Sequence, residues 1–110
     1  MKTKLHHFVD GNWVGFETDI NPQACQLVLV FGSSELLMNP DHGAYLKKTY
    51  PNADMVYAST AGEIINDGVF DNSIVATAVE LEKSTLKCVA TNISKHQDSF
   101  AAGLFLKNQL

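Results

Sequence analysis

Residues 26–34 read Gln26-Leu27-Val28-Leu29-Val30-Phe31-Gly32-Ser33-Ser34. The apolar run from Leu27 to Phe31 does not alternate with polar residues. Such a run predicts a strand buried on both faces, central in a sheet with elements packed above and below. Gly32-Ser33-Ser34 ends it. Downstream, Asn39-Pro40 opens a helix, with Asn39 as N-cap and Pro40 at the first helical position, where a missing N–H costs nothing. Asp41 and the Lys47-Lys48 pair complement the two ends of the helix dipole, and Pro51 forces a stop. Residues 54–59, centred on Met55-Val56-Tyr57-Ala58, read as a second strand. Strand, helix, strand in this order is a β-α-β unit with a right-handed crossover and parallel strands.

On the N-terminal side, Asp10-Gly11 is a hairpin signal between Phe8-Val9 and Trp13-Val14. It predicts two short, weakly held strands. Residues 16–25 are polar, carry Pro22 and read as a connector, so residues 1–23 form a peripheral hairpin and connector. On the C-terminal side, residues 61–72 read as a loop with one helical turn. Ser73–Glu82 and Thr85–Ile93 read as an antiparallel hairpin with Lys83-Ser84 at its tip. Ser94-Lys95-His96-Gln97 reads as a capping box opening a last helix. Phe100 with Leu104, and Ala101 with Phe105, share faces within it. The expected architecture is α/β: one domain over residues 1–110, with a mixed sheet, a β-α-β unit, an antiparallel hairpin and a C-terminal helix, in two or three layers.

The chain has 110 residues, enough for one domain with a modest core. Its 45% hydrophobic content is that of a globular protein rather than a disordered one. Lys supplies all eight basic residues, and the formal net charge is -4. The absence of Arg forks and the acidic balance argue against a nucleic-acid partner. No apolar run reaches the length of about 18 residues needed to span a membrane, and no signal-peptide apolar region follows Met1-Lys2-Thr3-Lys4. A cytoplasmic location is expected. Cys25 and Cys88 lie in no metal or redox spacing and are expected to be reduced, buried and inert.

In a sheet with parallel strands, ligands bind outside the carboxyl ends. Two such ends are Gly32-Ser33-Ser34-Glu35 and Ser59-Thr60-Ala61-Gly62-Glu63. If the strands are neighbours, Gly32, Ser33, Ser34, Ser59, Thr60, Gly62 and Glu63 line one crevice. Small side chains leave room there, and hydroxyls and backbone N–H groups offer polar contacts. Gly32 and Gly62 are expected to permit close backbone approach, Gly62 with a positive φ or a crowded Cβ position. The competing reading is local: Thr60-x-x-Glu63 as a capping box and Ser33-Ser34 as turn chemistry.

The segment Tyr57-Ala58-Ser59-Thr60-Ala61-Gly62-Glu63-Ile64 resembles the signature of the FIST family, sensory domains of bacterial signal-transduction proteins. Leu27–Ser33, Tyr50-Pro51-Asn52-Ala53 and Asp71–Glu82 match in the same order. The resemblance runs from about residue 24 to residue 110 and is that of the front part of an N-terminal FIST domain. It implies sensing of a small ligand, amino acids being a common suggestion for the family, and a signalling partner such as a histidine kinase. Some members bind haem and sense nitric oxide, which requires an axial ligand; His6, His7, His42 and His96 are the candidates. His6 and His7 alternate faces on a strand, so they cannot hold one metal together. No His pair has the i, i+4 spacing of a zinc site.

No nucleophile elbow, P-loop or dinucleotide fingerprint occurs. An enzyme reading reduces to a small hydrolase using Ser59 or Thr60, with Glu63 as base. Phe100, Leu104 and Phe105 on the last helix, and an open sheet edge, point to a homodimer.

Overall fold

The computed structural model describes all residues 1–110. Its centre is the predicted strand, β3 (Leu27–Gly32), followed by the short helix α1 (Ser34–Met38), helix α2 (Pro40–Thr49) and β4 (Asp54–Ser59). β3 and β4 pair in parallel, with Leu27 opposite Asp54 and Gly32 opposite Ser59. Asn39 caps α2 as expected: its side chain accepts from the Asp41 N–H at 3.0 Å. At the other end the Tyr50 N–H closes the helix on the Leu46 carbonyl. Helix α1 lies where the sequence reads as a turn. Ser33 caps it by accepting from the Leu36 N–H at 3.4 Å.

The remaining strands are β1 (Lys2–Val9), β2 (Asn12–Gly15), β5 (Glu63–Ile65), β6 (Gly68–Phe70) and β7 (Ile74–Glu80); helix α3 spans Ser99–Gln109. The five-stranded sheet has the order β2-β1-β7-β3-β4, and β5 and β6 form a separate pair. The architecture is mixed α/β as expected, with several local corrections.

The N-terminal hairpin is not peripheral. Asp10 at φ 51° and Gly11 at φ 79° make its turn, but β1 runs for eight residues and pairs along its length with β7, from Lys2 opposite Glu80 to Phe8 opposite Ile74. This also removes the hairpin expected over residues 73–93. β7 already has β1 on one side and β3 on the other, both antiparallel. Neither side is left for Thr85–Ile93, which forms no strand despite its β-branched composition. The stretch expected to be a loop with a helical turn is instead the β5–β6 hairpin, its tip at Asn66, φ 55°. Helix α3 starts later than the Ser94 box. Asn92 takes the Ser94 N–H and hydroxyl into a 3-10 turn at 93–95, and Asp98 caps the helix through the Ala101 N–H at 2.8 Å.

One face of the sheet carries the main core. Val28 and Val30 of β3 and Ile74, Ala76 and Ala78 of β7 pack with Leu46, Tyr50, Cys25 and Ala53. β3 is buried on that face alone: Phe31, pointing the other way, is exposed. The expectation of two fully covered faces therefore fails at this strand. Cys25 is buried and free, as expected; Cys88 is free but exposed, because the segment carrying it lies outside the sheet. No helix is long and apolar enough to cross a membrane.

Candidate functional site

The register of β3 and β4 brings the two predicted segments to one end of the sheet. Gly32 faces Ser59. The Thr60 N–H donates to the Gly32 carbonyl at 2.9 Å, and the Ser33 N–H donates to the Ser73 carbonyl at 3.2 Å. The ends of β3 and β4 and the start of β7 are thereby fastened together. Gly32 is required at this junction. A Cβ there would sit 2.9 Å from the Ser73 carbonyl oxygen and 2.9 Å from Ile74 Cγ1. Gly62 is not required in the way expected: it has no positive φ, and a Cβ would meet only Asp71 Oδ1 at 3.5 Å and the Phe70 carbonyl at 3.8 Å.

Glu63 is the centre of the arrangement. It is 3% exposed, and both carboxylate oxygens are occupied. Thr60 Oγ1 donates to Oε1 at 2.5 Å, and Ser73 Oγ donates to Oε2 at 2.7 Å. The Thr60–Glu63 contact thus has the spacing of a capping box, but Glu63 opens strand β5 and there is no helix to cap. Two hydroxyl donors satisfy a carboxylate that would otherwise be costly to bury. Ser73, wholly buried, is the member that the sequence does not reveal. It reads as the first polar residue of a strand, and only closure of the β5–β6 hairpin brings it to Glu63.

Around this buried pin, Ser34, Ser59 and Ala61 are exposed, while Ser33, Thr60 and Gly62 are half-buried. The Ser33 hydroxyl is committed to capping α1. The result is an open shelf rather than an enclosed cavity. A shallow open groove lies elsewhere, on the face of α3 between Phe100, Gly103, Leu104 and Lys107.

The four histidines lie in separate surroundings. His6 is buried, with Nε2 2.6 Å from the Tyr50 hydroxyl in a shared hydrogen bond. Burial, assisted by the charge of Lys4, lowers its pKa from 6.5 to about 4. Burial pushes Tyr50 up to about 12. His7 points to the opposite face and packs against Phe70, as strand alternation requires. His42 packs on Phe8, and His96 lies 2.9 Å from Thr91 Oγ1. None lines the groove on α3, and no group of three or more potential metal-binding side chains occurs. Ser59 and Thr60 have no imidazole beside them; the Thr60 hydroxyl is spent on Glu63.

Compared with known families, residues 26–110 match the model of the FIST N domain. No curated protein and no solved structure matches the chain.

Proposed function

This chain belongs to the FIST N domain family, and from that premise we propose that it is a sensory domain binding a small ligand at the carboxyl ends of β3 and β4. FIST is a family of sensory domains rather than enzymes. The observation that carries the reading is the parallel register setting Gly32 against Ser59. It gathers exposed hydroxyls and loop backbone at the end of a β-α-β unit, the place where parallel sheets take ligands.

The buried Glu63, tied to Thr60 and Ser73, serves as the pin that shapes the shelf and does not itself touch the ligand. Ser34 and Ser59 are the contact residues, with Thr60, Gly62 and the α1 cap at Ser33 forming the floor. The ligand class is a free amino acid. Hydroxyls and N–H groups suit its carboxylate, and Glu35, in the first turn of α1, supplies a counter-charge for its ammonium. Occupation fastens the β3–α1 and β4–β5 connections to each other, and a signalling partner such as a histidine kinase reads that change.

The test is a thermal-shift panel of free amino acids against the chain. A ligand at 100 times its Kd adds roughly 2.7 kcal/mol, several degrees in a domain of this size. The expected result is a rise with at least one amino acid, reduced by Ser34→Ala and by Ser59→Ala. No rise across the panel, or a rise indifferent to both substitutions, would overturn the reading.

A further inference from the structure

Tyr50, at the C-cap of α2, is wholly buried, and His6 on β1 is 3% exposed. The Tyr50 oxygen and His6 Nε2 are 2.6 Å apart, and His6 is the hydroxyl's one hydrogen-bond partner. The far side of the imidazole fixes the direction of this bond. His6 Nδ1 is buried too, and no donor or acceptor of the protein reaches it. If Nε2 donated, the phenol proton would lack an acceptor and the Nδ1 lone pair a donor. If the phenol donates, only the Nδ1 proton is left unpaired. The second arrangement orphans fewer groups, so the phenol proton points at the free base of a neutral imidazole. Burial keeps both groups uncharged, holding His6 down at about 4 and Tyr50 up at about 12.

A file of rings leads outward from this pair. The Trp13 indole meets the His6 ring edge-on, with centroids 6.4 Å apart, and stacks on Tyr45 at 4.8 Å and 15°. Trp13 is half-buried and Tyr45 is exposed. His6 and Trp13 come from β1 and β2, outside the residues that match the family. The file is therefore built where the N-terminal strands meet α2.

We propose that Tyr50 is a redox-active tyrosine that stores one oxidising equivalent taken from a diffusible one-electron oxidant, with His6 as its internal base and Trp13 and Tyr45 as its electron path. One electron leaves Tyr50 through Trp13 and Tyr45 to the oxidant. The Tyr50 O–H bond breaks and an N–H bond forms at His6 Nε2. The products are a neutral phenoxyl, an imidazolium and the reduced oxidant. The proton crosses a single hydrogen bond and never enters solvent. A one-electron reductant reverses the step: the electron refills the ring, and the imidazolium, made more acidic by burial, hands the proton back. Burial of Tyr50 also keeps the phenoxyl from coupling with a second radical.

Photo-oxidation of the full chain with ruthenium tris-bipyridyl and persulfate, followed by EPR and transient absorption, tests the proposal. A phenoxyl radical should persist in the parent and decay about tenfold faster in Tyr50→Phe and in His6→Gln. Tyr45 and Tyr57, the other two tyrosines, remain in both variants. Trp13 is the sole tryptophan, and Trp13→Phe should slow the appearance of the radical about tenfold. Electron–nuclear double resonance on the parent needs no variant. It should show one exchangeable proton hydrogen-bonded to the phenoxyl oxygen, lost in deuterium oxide, as a proton on Nε2 requires. A parent radical without that proton would overturn the proposal. So would a Tyr50→Phe chain with the parent's circular dichroism spectrum and a radical as long-lived as the parent's, which would put the oxidising equivalent on Tyr45 or Tyr57. An unchanged lifetime in His6→Gln would overturn the role of the base, and an unchanged rate in Trp13→Phe that of the path.

Discussion

The Ser73 hydroxyl donates to the Glu63 carboxylate at 2.7 Å, joining the first residue of β5 to the residue before β7. With Thr60 on the other oxygen, this contact holds the β5–β6 hairpin against the end of the main sheet.

Glu63→Ala leaves the buried Ser73 hydroxyl without an acceptor and opens a void. We expect a loss of roughly 2–4 kcal/mol in urea denaturation. Glu63→Gln keeps the shape and one acceptor oxygen, and hydroxyls rotate, so its loss should be about 1 kcal/mol. Equal stability of Glu63→Ala and the parent would remove the pin.

Gly32→Ala presses a methyl against the Ser73 carbonyl oxygen at 2.9 Å, which is backbone and cannot swing away. The cost should be about 1–3 kcal/mol. Gly62→Ala, with ordinary contacts only, should stay within about 0.5 kcal/mol. Thermal unfolding of the two variants side by side checks the contrast; the reverse order would refute it.

His6 makes stability depend on pH. Its imidazole is neutral in the fold down to about pH 4, while in the unfolded chain it takes a proton near 6.5. The unfolded state therefore binds the extra proton between these values. The contribution is complete above about pH 6.5 and is lost as pH falls towards 4, on the order of 3 kcal/mol in all. In His6→Gln the part of the slope owed to His6 should vanish over that interval. An NMR titration showing His6 charged at pH 5.5 would contradict the assignment.

Asp98→Ala removes the N-cap of α3 and should cost about 1 kcal/mol, seen as faster amide exchange at Phe100–Gly103. Ser94→Ala, outside the helix, should leave those amides unchanged. Faster exchange in Ser94→Ala alone would place the helix start at the Ser94 box instead.

The β-α-β unit was legible because its signals are local. The Leu27–Phe31 run, the Asn39-Pro40 cap and Pro51 each act on their own stretch of backbone, and the parallel register followed from the crossover. The meeting of Ser33, Ser59 and Thr60 at one sheet end was legible for the same reason. The sequence reads the start of the last helix at the Ser94 box, whereas the structure caps it at Asp98. Asn92 decides between them by drawing Ser94 into a 3-10 turn.

By itself the sequence determined the β3–α2–β4 unit, the turn of the N-terminal hairpin, and that β3 lies inside a sheet beside β4. The tertiary structure alone decided who sits beside β7. A strand has two hydrogen-bonding edges; β1 and β3 occupy both, so the β-branched 85–93 segment cannot pair with β7 as a hairpin. It also decided the partner of Glu63. The carboxylate had a local candidate in Thr60, but its second donor, Ser73, arrives only when the hairpin turning at Asn66 folds β6 back onto β5. Propensity acts along the chain, whereas edge occupancy and the satisfaction of buried polar groups depend on what the rest of the chain has already filled.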